Sequence, residues 1–183
     1  MPTSPELTSA RDLAYQGVRR NLLQFQPLHH LLKFLLGRHQ GSYTPETMVD
    51  EMKRRQEAQD KKTLGVLAGH LFENVILKQD INDVVLSDDK KPGNISHWIG
   101  TTIPEKEHQE LQCRLKALVD ERNQLVHLSL LAWDLDTVEG CQAIVAELDE
   151  QRVRIKTEID QVLHYYESLD QLMKLLREEL MVG

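Results

Sequence analysis

Apolar residues recur at spacings of three and four along most of this chain, the signature of helices that bury one face. Ala14, Val18, Leu22, Phe25, Leu28, Leu32 and Leu36 form the first such series. Pro27 falls inside it without breaking the phase, which predicts a kinked helix or two nearly coaxial ones, ending at Gly37 or Gly41. Thr44-Pro45-Glu46-Thr47 reads as the start of a second helix, with Thr44 as N-cap and Pro45 at the first helical position. Its charge between Asp50 and Lys62 places it at the periphery. A third helix carries Leu64, Leu67, Ala68, Leu71 and Val75. Gly65 and Gly69 lie one turn apart on it and fit either simple packing or the close approach of another helix.

From Lys78 to Thr102 no helical period survives, and Asp88-Asp89-Lys90-Lys91-Pro92-Gly93-Asn94 is turn chemistry. A connection this long is uncommon in a compact domain, so it is expected to hold a short helix around Ser96–Gly100 or to carry function. Pro104 opens a fourth helix, with Glu105 and Glu107 in the first turn, where negative charge suits the helix dipole. The pattern runs to about Trp133, and Asp134-Leu135-Asp136-Thr137 breaks it. In the last and longest helix Leu148, Ile155, Ile159, Val162, Tyr166, Leu169, Met173, Leu176 and Leu180 form a heptad seam with a polar gap at Gln151 and Arg152. The seam fits a coiled coil or a long bundle helix. Its breadth, with no evident register-setting residue, favours the bundle. These elements predict an all-α, up-and-down helical bundle with a long C-terminal helix. It forms one domain over residues 1–183, with a loose tail at residues 1–8.

Composition narrows the classes. At 183 residues the chain can bury one sizeable core. No apolar run approaches the roughly 20 residues a membrane helix needs. Met1-Pro2-Thr3-Ser4-Pro5-Glu6 lacks the basic-then-apolar order of a signal peptide. Cys113 and Cys141 are widely spaced, which suggests free thiols in a reducing cytosol and no disulfide or zinc framework. A cytoplasmic location with no membrane partner is the expectation. The net charge of −7 argues against nonspecific nucleic-acid binding, so any RNA contact should be local and salt-sensitive.

Most candidate chemistry is weak. Glu105 and His108 have the Glu-x-x-His spacing of bundle metal sites, but no second copy exists, so a surface pair is expected. His29-His30, His70 with Glu73, and His164 with Glu167 are similarly unsupported as ligands. The chain has no Walker loop, no Gly-x-Gly-x-x-Gly and no Gly-x-Ser-x-Gly. Lys53-Arg54-Arg55 and Lys61-Lys62 have acidic neighbours and read as a solvated face. No metal and no cofactor is expected.

The exception is the fourth helix. Leu111, Leu115, Leu118, Leu125 and Trp133 share one stripe when residues are rotated by about 100° each, and Arg122 falls near its centre. Asn123 and His127 lie one turn apart on the flank. A guanidinium on an apolar stripe needs a reason, either a structural ion pair or a site. An imidazole can exchange protons at neutral pH, and a guanidinium can hold a phosphate and stabilise its extra charge during cleavage. Attack of RNA by its own 2′-hydroxyl needs such a base and cation and no metal.

Arg122-Asn123-Gln124-Leu125-Val126-His127, framed by Leu118, Val119, Glu121 and Leu128, resembles the Arg-x4-His motif of the HEPN superfamily. Lys62-Thr63-Leu64-Gly65-Val66-Leu67 is similar to a segment many such domains carry on an earlier helix. The resemblance implies a HEPN-like bundle and a metal-independent endoribonuclease in which Arg122, Asn123 and His127 from two protomers meet at a dimer interface. It also implies a toxin or defence role against RNA, often beside a nucleotidyltransferase-like antitoxin. Ser129 stands where some relatives have a tyrosine that receives nucleotides, which puts control by adenylylation in doubt. The alternative reading is a non-catalytic helical interaction protein that uses the C-terminal seam, with Arg122 as a structural ion pair.

Overall fold

The computed structural model describes residues 4–44, 46–78, 95–127 and 133–182. In chain order the elements are α1 (Pro5–Arg38), β1 (Gln40–Tyr43), α2 (Met48–Asp60), α3 (Leu64–Asn74), β2 (Ile76–Lys78), β3 (Ile95–Trp98), β4 (Thr101–Ile103), α4 (Glu105–His127) and α5 (Val138–Val182). The architecture is mostly helical with a long C-terminal helix, 45 residues in α5. Two small two-stranded ladders, absent from the all-α expectation, complete it.

Local chemistry explains most boundaries. The Ser4 hydroxyl accepts from the Leu7 amide, so α1 begins at Pro5 and takes in residues 5–8 of the expected tail. Pro27 lies inside an unbroken α1 that ends at Arg38, beside Gly37. The second helix starts later than its sequence suggests. Thr47, not Thr44, is its N-cap, because the Thr47 amide donates to the Thr44 carbonyl in a preceding turn. The expectation for Pro45 lies outside the described residues. None of the α2 side chains is buried, as its charge requires. Thr63 caps α3 through its hydroxyl, which accepts from the Val66 amide. Gly65 and Gly69 face solvent, and no described residue lies within 4 Å of a Cβ built at Gly69.

The chain divides into two compact units by its internal contacts. The first comprises residues 1–28 and 117–160. Within it α1 and α5 run in parallel, since Arg11 pairs with Asp136, Arg20 with Asp149, and Asn21 reaches Leu148 and Gln151. Ala14, Phe25, Leu118, Ile144, Leu148 and Ile155 are buried here. The break before α5 is built from its own side chains. Asp134 accepts from the Asp136 amide and the Thr137 hydroxyl, and Thr137 accepts from the Gly140 amide at the helix start. These bonds hold the Asp134 carboxyl below its ordinary range, the Thr137 hydroxyl contributing most.

The polar gap in the seam has a structural use. Asn21 has 0% exposure, and its amide donates to the Leu148 carbonyl at 2.7 Å and the Gln151 Oε1 at 2.9 Å. The register-setting pair that the seam lacked in sequence is therefore Asn21 with Gln151. Leu148, Ile155 and Val162 of the seam are buried within the chain. The seam positions at Leu169, Met173, Leu176 and Leu180 lie outside the described side chains.

The second unit comprises residues 29–116 and 161–183. Here α4 and α5 are antiparallel: Glu107 accepts from the Tyr165 hydroxyl, and Arg114 donates to Gln161. Both ladders belong to this unit. β1 and β3 are antiparallel, with Gly41 opposite His97. β2 and β4 are parallel, with Leu77 opposite Thr102. Residues 96–98, expected as part of a short helix, form a strand instead. Ile95, Trp98, Ile99, Thr101, Thr102 and Ile103 suit a pleated surface, and β1 and β2 offer backbone partners. Between β3 and β4 the Thr101 amide donates to the Val75 carbonyl. A Cβ at Gly100 would lie 2.6 Å from that carbonyl oxygen and closer still to the Trp98 ring, so the turn demands glycine.

The Asn21–Gln151 pair yields a test. Asn21→Leu should cost about 2 kcal/mol of unfolding free energy, because it strands the buried Gln151 amide. Adding Gln151→Leu should recover most of that loss in urea titrations. Equal stability of wild type and Asn21→Leu would show that the pair carries no such load.

Candidate functional site

The inward stripe of α4 is as its spacing requires: Leu111, Leu115, Leu118 and Leu125 are all buried. Arg122 lies on that stripe at the intervals Leu118 + 4 and Leu125 − 3, yet it is only half-buried. A long side chain on the edge of an apolar face can lay its methylenes on the core and turn its head outward. Its NH1 donates to the Asn123 side-chain oxygen at 3.1 Å. Among the described residues the guanidinium reaches no carboxylate within ion-pair distance. The neighbouring Glu121 takes a different partner, accepting from Arg154 Nε and NH2 at 3.1 and 3.2 Å.

Asn123 and His127 are exposed, one turn apart, and His127 closes the last turn of α4. The structure thus joins Arg122 to Asn123 and leaves His127 on the same outward flank, where the imidazole makes no hydrogen bond to the other two. Leu128 and Ser129 lie outside the described residues. Among the described residues this flank is exposed, with Asn123, Val126 and His127 facing solvent.

The other histidine pairs resolve differently. His108 is buried, not on the surface. Its Nε2 donates to the Ile76 carbonyl at 3.0 Å, and its ring meets Phe72 edge-on. Glu105 turns away to Lys78 at 2.9 Å, which keeps its carboxyl below the ordinary range. The pair therefore does not act together, because one member supports β2 and the other is a surface ion pair. Among the described residues no group of three His, Cys, Asp or Glu converges in a metal-binding arrangement. Cys113 and Cys141 are free thiols. No described helix is long and apolar enough to cross a membrane.

A second cluster escaped the sequence reading. In the second unit His39, Tyr43 and His97 converge on a cavity of about 150 Å³. His39 Nδ1 donates to the Leu36 carbonyl at 2.8 Å, and its Nε2 is buried with no hydrogen-bond partner among the described residues. His97 Nε2 donates to the Arg38 carbonyl, so its Nδ1 is the acceptor for the Tyr43 hydroxyl, each at 3.1 Å. Burial pushes His39 below the ordinary imidazole value; the Leu36 carbonyl opposes this, and the charges of Arg55, His97 and Lys62 add to the fall. Burial raises the Tyr43 phenol, against the pull of Arg55. Gly41 lets the rings meet, since a Cβ there would lie 2.6 Å from His97 Cε1 and 2.7 Å from Tyr43 Cε1. One local signal existed. His39, Gly41 and Tyr43 alternate, which sets them on one face of an extended segment. Nothing local points to His97.

No family model, curated protein or solved structure matches the chain.

The neutral His39 makes stability depend on pH. The unfolded chain binds this proton more tightly, so the contribution is full above about 6.5, the ordinary imidazole value, and is lost as pH falls below it. Melting temperature should therefore drop on acidification below that point, with a shallower drop in His39→Gln. Identical slopes in the two proteins would remove His39 as the source.

Proposed function

We propose that the protein is a metal-independent endoribonuclease of the HEPN type, with Arg122, Asn123 and His127 as its working residues, acting as a dimer in a toxin or defence system. The observation that carries this reading is the state of Arg122. It lies on an apolar stripe, has no carboxylate among the described residues and is joined to Asn123 on an open flank. A structural ion pair would need an acid, and none among the described residues meets this guanidinium. For the alternative of an interaction protein, Leu148, Ile155 and Val162 of the docking seam are already buried within the chain, which takes that part of the seam out of docking.

The chemistry follows from the side chains. His127 accepts the proton of a ribose 2′-hydroxyl, and the 2′-oxygen attacks the adjacent phosphorus. The bond from phosphorus to the 5′-oxygen breaks, and a protonated imidazole returns a proton to that oxygen. The products are a 2′,3′-cyclic phosphate and a 5′-hydroxyl. Arg122 neutralises the charge that gathers on the phosphoryl oxygens, and Asn123 holds the guanidinium in place. Leu118 and Leu125 are buried within the chain, so a second copy meets α4 on its exposed flank, at Asn123, Val126 and His127. A nucleotidyltransferase-like antitoxin would act on such a protein by binding, since Ser129 offers no phenol for modification.

Arg122→Ala and His127→Ala should each lower RNA cleavage by about a hundredfold or more, and the two losses should not add fully. His127 is exposed, so its alanine variant should melt with the wild type. A stable His127→Ala protein cutting at the wild-type rate would remove the base from the mechanism.

Two further outcomes are expected. Activity should persist in EDTA; loss on chelation with recovery on adding a divalent ion would contradict the mechanism. Light scattering should give a mass near twice 21.2 kDa, and a monomer at micromolar concentration would contradict the composite site.

A further inference from the structure

The cavity of the second unit has a shape and chemistry of its own, independent of the α4 motif. Its walls are apolar and adaptable. Phe34 and Tyr166 meet edge to face at 5.2 Å, and Met48, Met52, Val75 and Ile99 line the remainder. The space is partly open to solvent, and its roughly 150 Å³ takes a benzene-sized ring. Methionine side chains can shift to fit a flat ligand.

The polar groups are few and specific. The Arg38 guanidinium lies 3.7 Å over the Phe34 ring and lines the cavity. It is exposed, which places it at the mouth, and among the described residues it has neither a hydrogen-bond nor an ion-pair partner. Asp170, also on the wall, is neutralised by Lys174 at 2.7 Å. Deeper in, neutral His39 has an Nδ1 committed to the Leu36 carbonyl, so its Nε2 is a lone-pair acceptor that no donor among the described residues meets. A buried acceptor left in that state is costly unless something supplies the donor. The Tyr43 oxygen, its proton given to His97, is a second acceptor. Arg55 and Lys62 add positive charge at His39 although the chain as a whole carries −7.

We propose that this cavity binds a small aromatic carboxylate that carries a ring hydroxyl. The ring fills the apolar space, the carboxylate leaves through the mouth to Arg38, and the hydroxyl donates to His39 Nε2. An aliphatic acid would forgo contact with Phe34 and Tyr166. A neutral phenol would leave Arg38 without its counterion.

The 183-residue chain should be titrated by calorimetry with 4-hydroxybenzoate and 3-hydroxybenzoate, and with benzoate and phenol as controls. At least one hydroxybenzoate should bind with one site per chain. Loss of the hydroxyl in benzoate, or of the carboxylate in phenol, should each weaken binding about tenfold. Arg38→Met keeps the bulk over Phe34 and sits on an exposed helix end, so it should fold and lose tenfold or more for the acids while leaving phenol unchanged. His39→Gln should erase the preference for hydroxybenzoate over benzoate. Three results would overturn the proposal: no binding of either hydroxybenzoate at millimolar concentration, equal affinity of Arg38→Met and wild type, or preference for a nucleoside monophosphate over both acids.

Discussion

Burial of aliphatic side chains along one face of each long helix is the interaction on which the rest of this structure depends. Leu28 and Leu32 on α1, Leu111, Leu115 and Leu118 on α4, and Leu148, Ile155 and Val162 on α5 are almost wholly removed from water. Each such side chain contributes about 1.5–3 kcal/mol relative to exposure, far more than the exposed ion pairs that decorate the same helices. The polar residues on those faces are therefore the informative ones. Asn21 and Gln151 satisfy one another and fix how α1 and α5 run together. His108 is spent on the carbonyl of Ile76. Arg122 alone of these leaves the face, turning to Asn123 and solvent.

That difference gives the α4 motif its weight. A buried ion pair would have closed Arg122 into packing, whereas the half-buried guanidinium keeps its charge available. Glu121, the nearest acid in sequence, is bound by Arg154, and Arg122 turns to Asn123. The proposed ribonuclease chemistry rests on this arrangement of three side chains on one helix.

A different constraint shapes the second unit. Residues 95–103 must pair their backbone groups with two separate strands, β1 on one part and β2 on the other. The turn at Gly100 makes the change of partner possible, and it brings His97 and Ile99 against His39, Tyr43 and Val75. The lining of the cavity by His97 and Ile99 follows from that crossing.

By itself the sequence determined the helices, because helical periodicity, caps and breaks are set by neighbours three or four residues apart. The inward stripe of α4, the charged and peripheral α2, and the break at Asp134–Thr137 were legible for that reason, and so were Arg122, Asn123 and His127 as a group sharing one helix. What the sequence left open is non-local. The strands at β1 to β4 are three or four residues each, too short to carry a period, and exist because their partners supply backbone bonds. The match of Asn21 to Gln151, 130 residues apart, and the meeting of Tyr43 with His97, 54 apart, have no signal in either neighbourhood. Even the alternation at His39, Gly41 and Tyr43 gains meaning only when β3 is laid beside it. Tertiary packing alone decided that His39, His97 and His108 each meet a backbone carbonyl, and that His39 Nε2 and His108 Nδ1 are buried with no partner among the described residues, because hydrogen-bond satisfaction is a property of the folded surroundings.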